Sequence, residues 1–249
     1  MVKMLFDNIM APITSELGFL ECDAKTASHE FYSWQSQIHS KYKRRRLEIE
    51  DVVEKNLGSV LGRLLPLRGG DHTKHLFIPT RDNRWAACFD NGWRGADIPT
   101  FVSVLSEKIG CRGVRAAYVP NTIKRDPSTK RGWSGNYGAV IFEVYGPKPN
   151  PILNTLRYVS LVNDGGKWSF DIGGNPFDFE QMERYELPQK ADRFDPEMLD
   201  NYLRYLGIDA FSEDFYITTK EYPAKLISLK GDLGYTVEEY TLEQAREDY

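Results

Sequence analysis

Eight consecutive residues, Asp90-Asn91-Gly92-Trp93-Arg94-Gly95-Ala96-Asp97, place an indole, a guanidinium and two carboxylates on what reads as a strand-to-helix connection. Such connections often carry binding residues, and a helix N-terminus offers free backbone N–H groups to an anion. The stretch contains neither a GxGxxG fingerprint nor a GxxxxGK-S/T phosphate loop, so a nucleotide site has no signature here. The plainer alternative packs Trp93 on a sheet and pairs Arg94 locally.

Other clusters invite the same two-sided reading. Asp71-His72-Thr73-Lys74-His75 holds three side chains able to ligate a borderline metal such as zinc. Its spacing matches no finger or metalloprotease, and a strand opening at His75 would turn the two imidazoles apart, so a polar loop is the simpler expectation. Lys41-Tyr42-Lys43-Arg44-Arg45-Arg46, with Arg112, Arg115, Lys124, Arg125, Lys130 and Arg131, could meet phosphates if they converged, with Trp133 and Tyr137 as stacking faces. A sequence pI near 5.7 argues instead for a solvated basic face, and nucleic acid is not an expected partner. No GxSxG elbow occurs. Cys22, Cys88 and Cys111 make no CxxC or zinc spacing and sit in contexts that predict ordinary packing in a reducing compartment. Glu143, on a strongly β-prone segment, is a candidate buried acid or base, which would have to be paired or neutral.

The elements that must position these groups are legible in outline. A chain of 249 residues with 41% hydrophobic and 27% charged side chains can bury a core without disulfides or metals, and is read as one domain. Residues 1–68 read as a helical N-terminal extension, 72–187 as a sheet-rich core, and 188–249 as an acidic helical part packed on it. Asp23 is a cap for a helix carrying Ala27, Phe31, Trp34 and Ile38. A second helix is expected after Asp51, carrying Val53, Leu57, Val60, Leu61, Leu64 and Leu65 and stopped by Pro66, while Leu47-Glu48-Ile49-Glu50 reads as a short strand or a link. His75–Ile78 and Trp85–Phe89 form a hairpin, Asp97 caps a helix ended by Gly110, and Val114–Val119 is a strand. Residues 120–136 read as an exposed loop, and Tyr137–Tyr145 as a strand buried on both faces. Thr155–Val162 and Lys167–Ile172 pair across Asn163-Asp164-Gly165-Gly166. Asp195-Pro196-Glu197 starts a helix that runs to Gly207. Ala224–Leu229 reads as an edge strand. The fold class expected is α+β, a mainly antiparallel central sheet with helices at both ends of the chain and one inserted.

Charge is uneven. Residues 171–249 hold 19 acidic and 8 basic side chains, a net of −11 within a total of −4, a polarity that can steer an oppositely charged partner. The start of the chain lacks the continuous apolar run of a signal peptide, and no segment approaches the ~20 apolar residues of a membrane span. A cytoplasmic protein with no membrane partner and no cofactor is expected.

Phe89–Asp97, Val162-Asn163-Asp164-Gly165-Gly166-Lys167-Trp168-Ser169-Phe170 and Phe179-Glu180-Gln181-Met182-Glu183-Arg184-Tyr185 together resemble a group of bacterial cytosolic proteins similar in character to the immunity proteins of polymorphic toxin systems. The resemblance covers a little over half the chain and leaves out its first seventy residues. It implies a stoichiometric inhibitor that occludes a cognate toxin, and it carries over no functional residue. The residues expected at such an interface are Trp93, Arg94 and Asp97 on the central connection and Glu180 and Glu183 on the acidic side. The rival expectation is an enzyme acting on a phosphorylated or nucleotide-like substrate, with Arg94 and the start of the helix after Asp97 as an anion cradle and Glu143 or Asp90 in acid–base work.

Overall fold

A computed structural model describes residues 4–42, 44–95, 97–128, 132–148 and 154–247. Nine strands, numbered here in chain order, form a single sheet: β1 (Glu16–Leu20), β2 (Arg45–Val52), β3 (Lys74–Pro79), β4 (Ala86–Asp90), β5 (Gly113–Val119), β6 (Ala139–Tyr145), β7 (Thr155–Asp164), β8 (Lys167–Gly174) and β9 (Ala224–Gly231). They lie in the order β8-β7-β6-β5-β1-β4-β3-β9-β2, and every neighbouring pair is antiparallel. The helices are α1 (Ala24–His39), α2 (Leu57–Gly62), α3 (Ile98–Ile109), α4 (Pro196–Tyr205) and α5 (Leu242–Glu247). The fold is therefore α+β with an antiparallel sheet.

Local chemistry accounts for most of these elements. Asp23 accepts the Thr26 N–H at 2.8 Å and Asp195 accepts that of Met198 at 2.8 Å, so both cap as their sequences predict. Replacing Asp195 with alanine should lower stability by about 1 kcal/mol, read as a shift in the denaturant midpoint without a change in slope. The β7–β8 hairpin turns on Gly165 and Gly166, whose φ angles of 60° and 90° suit a tight two-residue turn.

Each face of the sheet carries its own core. Phe19, Ala87, Val114, Phe142, Val144, Val159 and Leu161 point to one side, where they meet the N-terminal segment, α2, α4 and the chain that follows it. Trp85 is fully buried there, with its indole N–H directed to the Leu206 carbonyl at 3.3 Å. On the other side Leu20, Phe77, Ala86, Cys88 and Ile227 pack beneath α1 and α3. α3 settles on β1 so closely that a Cβ at Gly18 would come within 2.8 Å of Ile98 and Val102, which is why that position carries glycine.

Several expectations change. The first 68 residues are not a helical extension, because they supply β1 at the centre of the sheet and β2 at its edge. The helix expected after Asp51 is a short one over Leu57–Gly62, capped by Asn56, while Asp51 lies within β2. Ala224–Gly231 is internal, hydrogen-bonded to β3 on one side and β2 on the other. β6 alternates: Val140, Phe142 and Val144 are buried, whereas Ala139, Ile141 and Glu143 on the other face are only partly covered. The 120–136 stretch is an arm in which Lys124–Arg125 pairs with Trp133–Ser134, and Asn121 pins its base by accepting from Gly138 N at 3.0 Å and from Asn163 Nδ2 at 2.9 Å. Lys130 and Arg131 of this arm, like Lys43 and Ala96, lie outside the described residues. Among the described residues no helix is long and apolar enough to cross a membrane.

Candidate functional site: an uncovered half-sheet

α3 covers β1 and the Gly113 end of β5 and barely reaches β6, so among the described residues the same face continues past it, along the rest of β5 and over β6 to β8, without a helical layer. Register assigns the side chains of that face. Arg115, Glu143 and Tyr158 stand side by side, with Ala117, Ile141, Ser160 and Asp171 in the next row. Ile141, Glu143, Tyr158 and Ser160 are half-buried and Asp171 is exposed. Tyr158 donates to Asp171 at 3.1 Å.

Where this face meets α3, titratable groups gather. Arg115 bridges two carboxylates, donating through Nε to Glu16 and through Nη1 to Glu143 at 3.0 Å. Glu143 also accepts the Tyr145 hydroxyl at 2.5 Å. Burial pushes the Glu16 carboxyl up, and the Asp90 and Glu143 charges add to the effect; the Arg115 guanidinium opposes it without cancelling it, and Glu16 stands at about 7. Burial, reinforced by Glu143, likewise pushes the Tyr145 phenol upward.

The Asp90–Asp97 connection sits at the edge of this cluster, since a side chain at Gly95 would point to within 3.9 Å of Glu16 Oε2. Asp90 organises the connection from within. It is buried, accepts Gly92 N at 2.9 Å and Asp97 N at 2.8 Å, and holds His72 Nδ1 at 3.0 Å. Gly92 is required for the last contact, because a Cβ there would overlap the His72 ring and the Gly95 carbonyl. Burial opposes protonation of His72, but the hydrogen bond and charge of Asp90 outweigh it and raise the imidazole above its ordinary value. Asn91, fully buried, takes the Thr73 and Lys74 amides at 2.9 and 3.0 Å and donates to the Pro66 carbonyl at 3.1 Å. Asn91 is a structural key that composition alone did not single out; a clue was its place directly between a strand and a turn.

The five residues expected at an interface do not share one surface. Trp93 is half-buried, with its ring stacked on Tyr240 at 4.1 Å and 11°. Arg94 is exposed and lies 4.6 Å from the Trp93 ring centroid. Asp97 is exposed at the start of α3, but its carboxylate receives the Thr100 hydroxyl at 2.6 Å and caps no backbone amide. Glu180 is on the opposite side of the sheet and buried, clamped by Arg157 at 2.6 Å, so its carboxylate is already engaged inside the protein. Glu183 is exposed nearby. The connection that carries Arg94 and Asp97 therefore borders the uncovered face at Gly95, whereas Glu180 is buried behind the sheet.

The remaining constellations disperse. His75 packs against Phe31 and Phe101, where burial lowers it to about 4, while His72 turns to Asp90. Among the described residues no three His, Cys, Asp or Glu side chains are placed to hold a metal. Among the described residues the basic side chains do not converge either. Arg44 pairs with Asp232, Arg46 with Glu48, and Arg112 with Glu21.

Compared with known proteins, the chain matches no protein-family model, no curated protein and no solved structure.

Proposed function

We propose that this protein is a non-catalytic binding protein, an immunity protein that neutralises a cognate bacterial toxin by occluding it. The observation that carries the reading is the uncovered half-sheet, bordered on one side by the connection that carries Arg94 and Asp97 and continued at its far end by the arm bearing Lys124, Arg125 and Trp133. Four strands about 4.8 Å apart and some seven residues long span roughly 400 Å². Loop and arm extend this toward the ~800 Å² per partner of a standard interface. Its polar groups are already paired with one another, so little ordering is left for association to oppose. The acidic C-terminal third, with Glu183 exposed, acts at longer range by speeding encounter with a basic toxin.

The test is calorimetry with the protein encoded by the neighbouring reading frame. A stoichiometric complex is expected, weakened about 30-fold or more when Arg94→Ala is combined with Tyr158→Ala. Glu183→Ala should change chiefly the salt dependence of the association rate. Affinity untouched by the double substitution would dispose of the assigned surface.

One observation favours the enzymatic alternative, a phosphorylated or nucleotide-like substrate: Glu16 titrates near neutrality beside Arg115, Glu143 and Tyr145, as a general acid or base requires. Two others weigh against it. Arg115 is neutralised by two carboxylates, and the Asp97 carboxylate, although it caps no amide, places a negative charge at the start of α3 that repels an anion.

A further inference from the structure

The β1–β5 register runs from Glu16↔Ala117 to Leu20↔Gly113, and beyond the last pair Glu21 N still donates to the Arg112 carbonyl at 2.9 Å. One step further, Cys22 faces Cys111. The Glu21 bond marks a hydrogen-bonded step, so continuing the register sets Cys22 and Cys111 at a non-hydrogen-bonded step just past the end of the ladder, where the Cys22 N–H turns back to the Leu20 carbonyl at 2.8 Å; Cα atoms opposed at such a step lie about 4.5 Å apart. That spacing falls at the near end of the range that disulfides span, roughly 4.4–6.8 Å. The two thiols are already within hydrogen-bonding reach of each other and both are half-buried, on the face of the sheet that carries α1 and α3. Cys88 is fully buried on the same face, with its thiol directed to the Ala86 carbonyl at 3.6 Å.

We propose that Cys22 and Cys111 are a redox-active pair that closes to a reversible cross-strand disulfide. Its position gives it a mechanical role. Cys22 directly precedes Asp23, the cap of α1, and Cys111 directly follows Gly110, the left-handed terminus of α3, so the bond ties the start of one covering helix to the end of the other. The sequence hid the pair because 88 residues separate its members, whereas the sheet register sets them face to face.

The oxidant is a low-molecular-weight disulfide of the glutathione type. The Cys111 thiolate attacks one of its sulfurs, breaking the reagent's S–S bond and releasing one thiolate, which takes up a proton. Cys22, giving its proton to the second leaving thiolate, then attacks the Cys111 sulfur. Two protein thiols are oxidised and one reagent disulfide is reduced to two thiols. Cys111 is the attacking group because the hydrogen bond from Cys22 favours its thiolate, against the opposing effect of burial.

The experiment equilibrates the full-length chain in glutathione buffers of graded redox ratio, traps free thiols by alkylation under denaturing conditions, and maps the peptides by mass spectrometry. In oxidising buffer the expected product carries a single alkylated cysteine, Cys88, and a peptide linking Cys22 to Cys111; Cys88→Ser leaves the link in place. Closing so long a loop should raise the melting temperature by roughly 5–10 °C. The rise should disappear with dithiothreitol and be absent in Cys111→Ser. Three alkylated cysteines in every buffer, a persistent glutathione adduct, or a link through Cys88 would each overturn the pairing. A bond that leaves the melting temperature unchanged would overturn the clamp.

Discussion

Replacing Glu180 with alanine is expected to destabilise the protein by about 3–5 kcal/mol, a large share of the 5–15 kcal/mol that typically separates folded from unfolded domains. The reason lies in what remains. Arg157 has 2% of its side chain exposed, and Glu180 meets it through Nε at 3.0 Å and Nη2 at 2.6 Å. The same carboxylate accepts Phe177 N at 2.9 Å and the Tyr185 hydroxyl at 3.0 Å. Without it a guanidinium stays buried with only the Gly173 and Gly174 carbonyls, at 3.2 and 3.1 Å, to receive its protons. Removing both charges together, in Arg157→Met with Glu180→Leu, should recover most of the loss, since a buried pair owes much of its apparent strength to the cost of stranding one partner. Guanidinium chloride unfolding of the native protein and the two variants measures this; a loss under 1 kcal/mol in Glu180→Ala would show that the pair is not the buried keystone described. It also separates two roles for Glu180, because an interface residue would alter binding while leaving stability intact.

The second large effect concerns pH. Glu16 stands at about 7 in the folded protein against an ordinary value of 4.5, so the folded state holds this proton more tightly than the unfolded chain does. Its protonated form therefore supports the fold fully below the unfolded value, and that support is lost as pH rises from 4.5 to about 7. The gap between 4.5 and about 7 corresponds to about 3 kcal/mol. Glu16→Gln imitates the protonated side chain and still offers Arg115 an oxygen, while Glu143 keeps the guanidinium paired. The variant should equal the native protein near pH 4.5 and exceed it by about 2–3 kcal/mol at pH 8. His72, raised by Asp90, contributes in the same direction: its stabilisation is complete below its unfolded value and fades as pH climbs through the raised one. The difference between native protein and variant isolates Glu16 from it. Parallel stability curves from pH 5 to 8 would refute the assignment of Glu16 as the titrating group.

On the proposed function, binding and stability meet at this residue. A carboxyl kept partly protonated at neutrality beside an uncovered sheet face lowers the stability of the fold above pH 7, and such a cost is commonly tolerated where a surface is used. The bridging of Arg115 by Glu16 and Glu143 also keeps the face close to electrically balanced at its centre.

Local signals in the chain determined the caps at Asp23 and Asp195, the Gly165-Gly166 hairpin, the α3 terminus at Gly110 and the α+β class. Each of these depends on residues a few positions apart, and propensity and hydrogen bonding act at that range. Tertiary structure alone decided that Glu16–Leu20 is the central strand, that Ala224–Gly231 is internal, that Cys22 opposes Cys111, and that Glu16 and Glu143 share Arg115. Glu180 shows the limit most directly: read in sequence it is one acid in an acidic segment, and only the approach of β7 makes it a buried counter-ion. Pairing between strands distant in the chain follows from which combination buries the most apolar surface, a property of the whole assembly that no short window of residues contains.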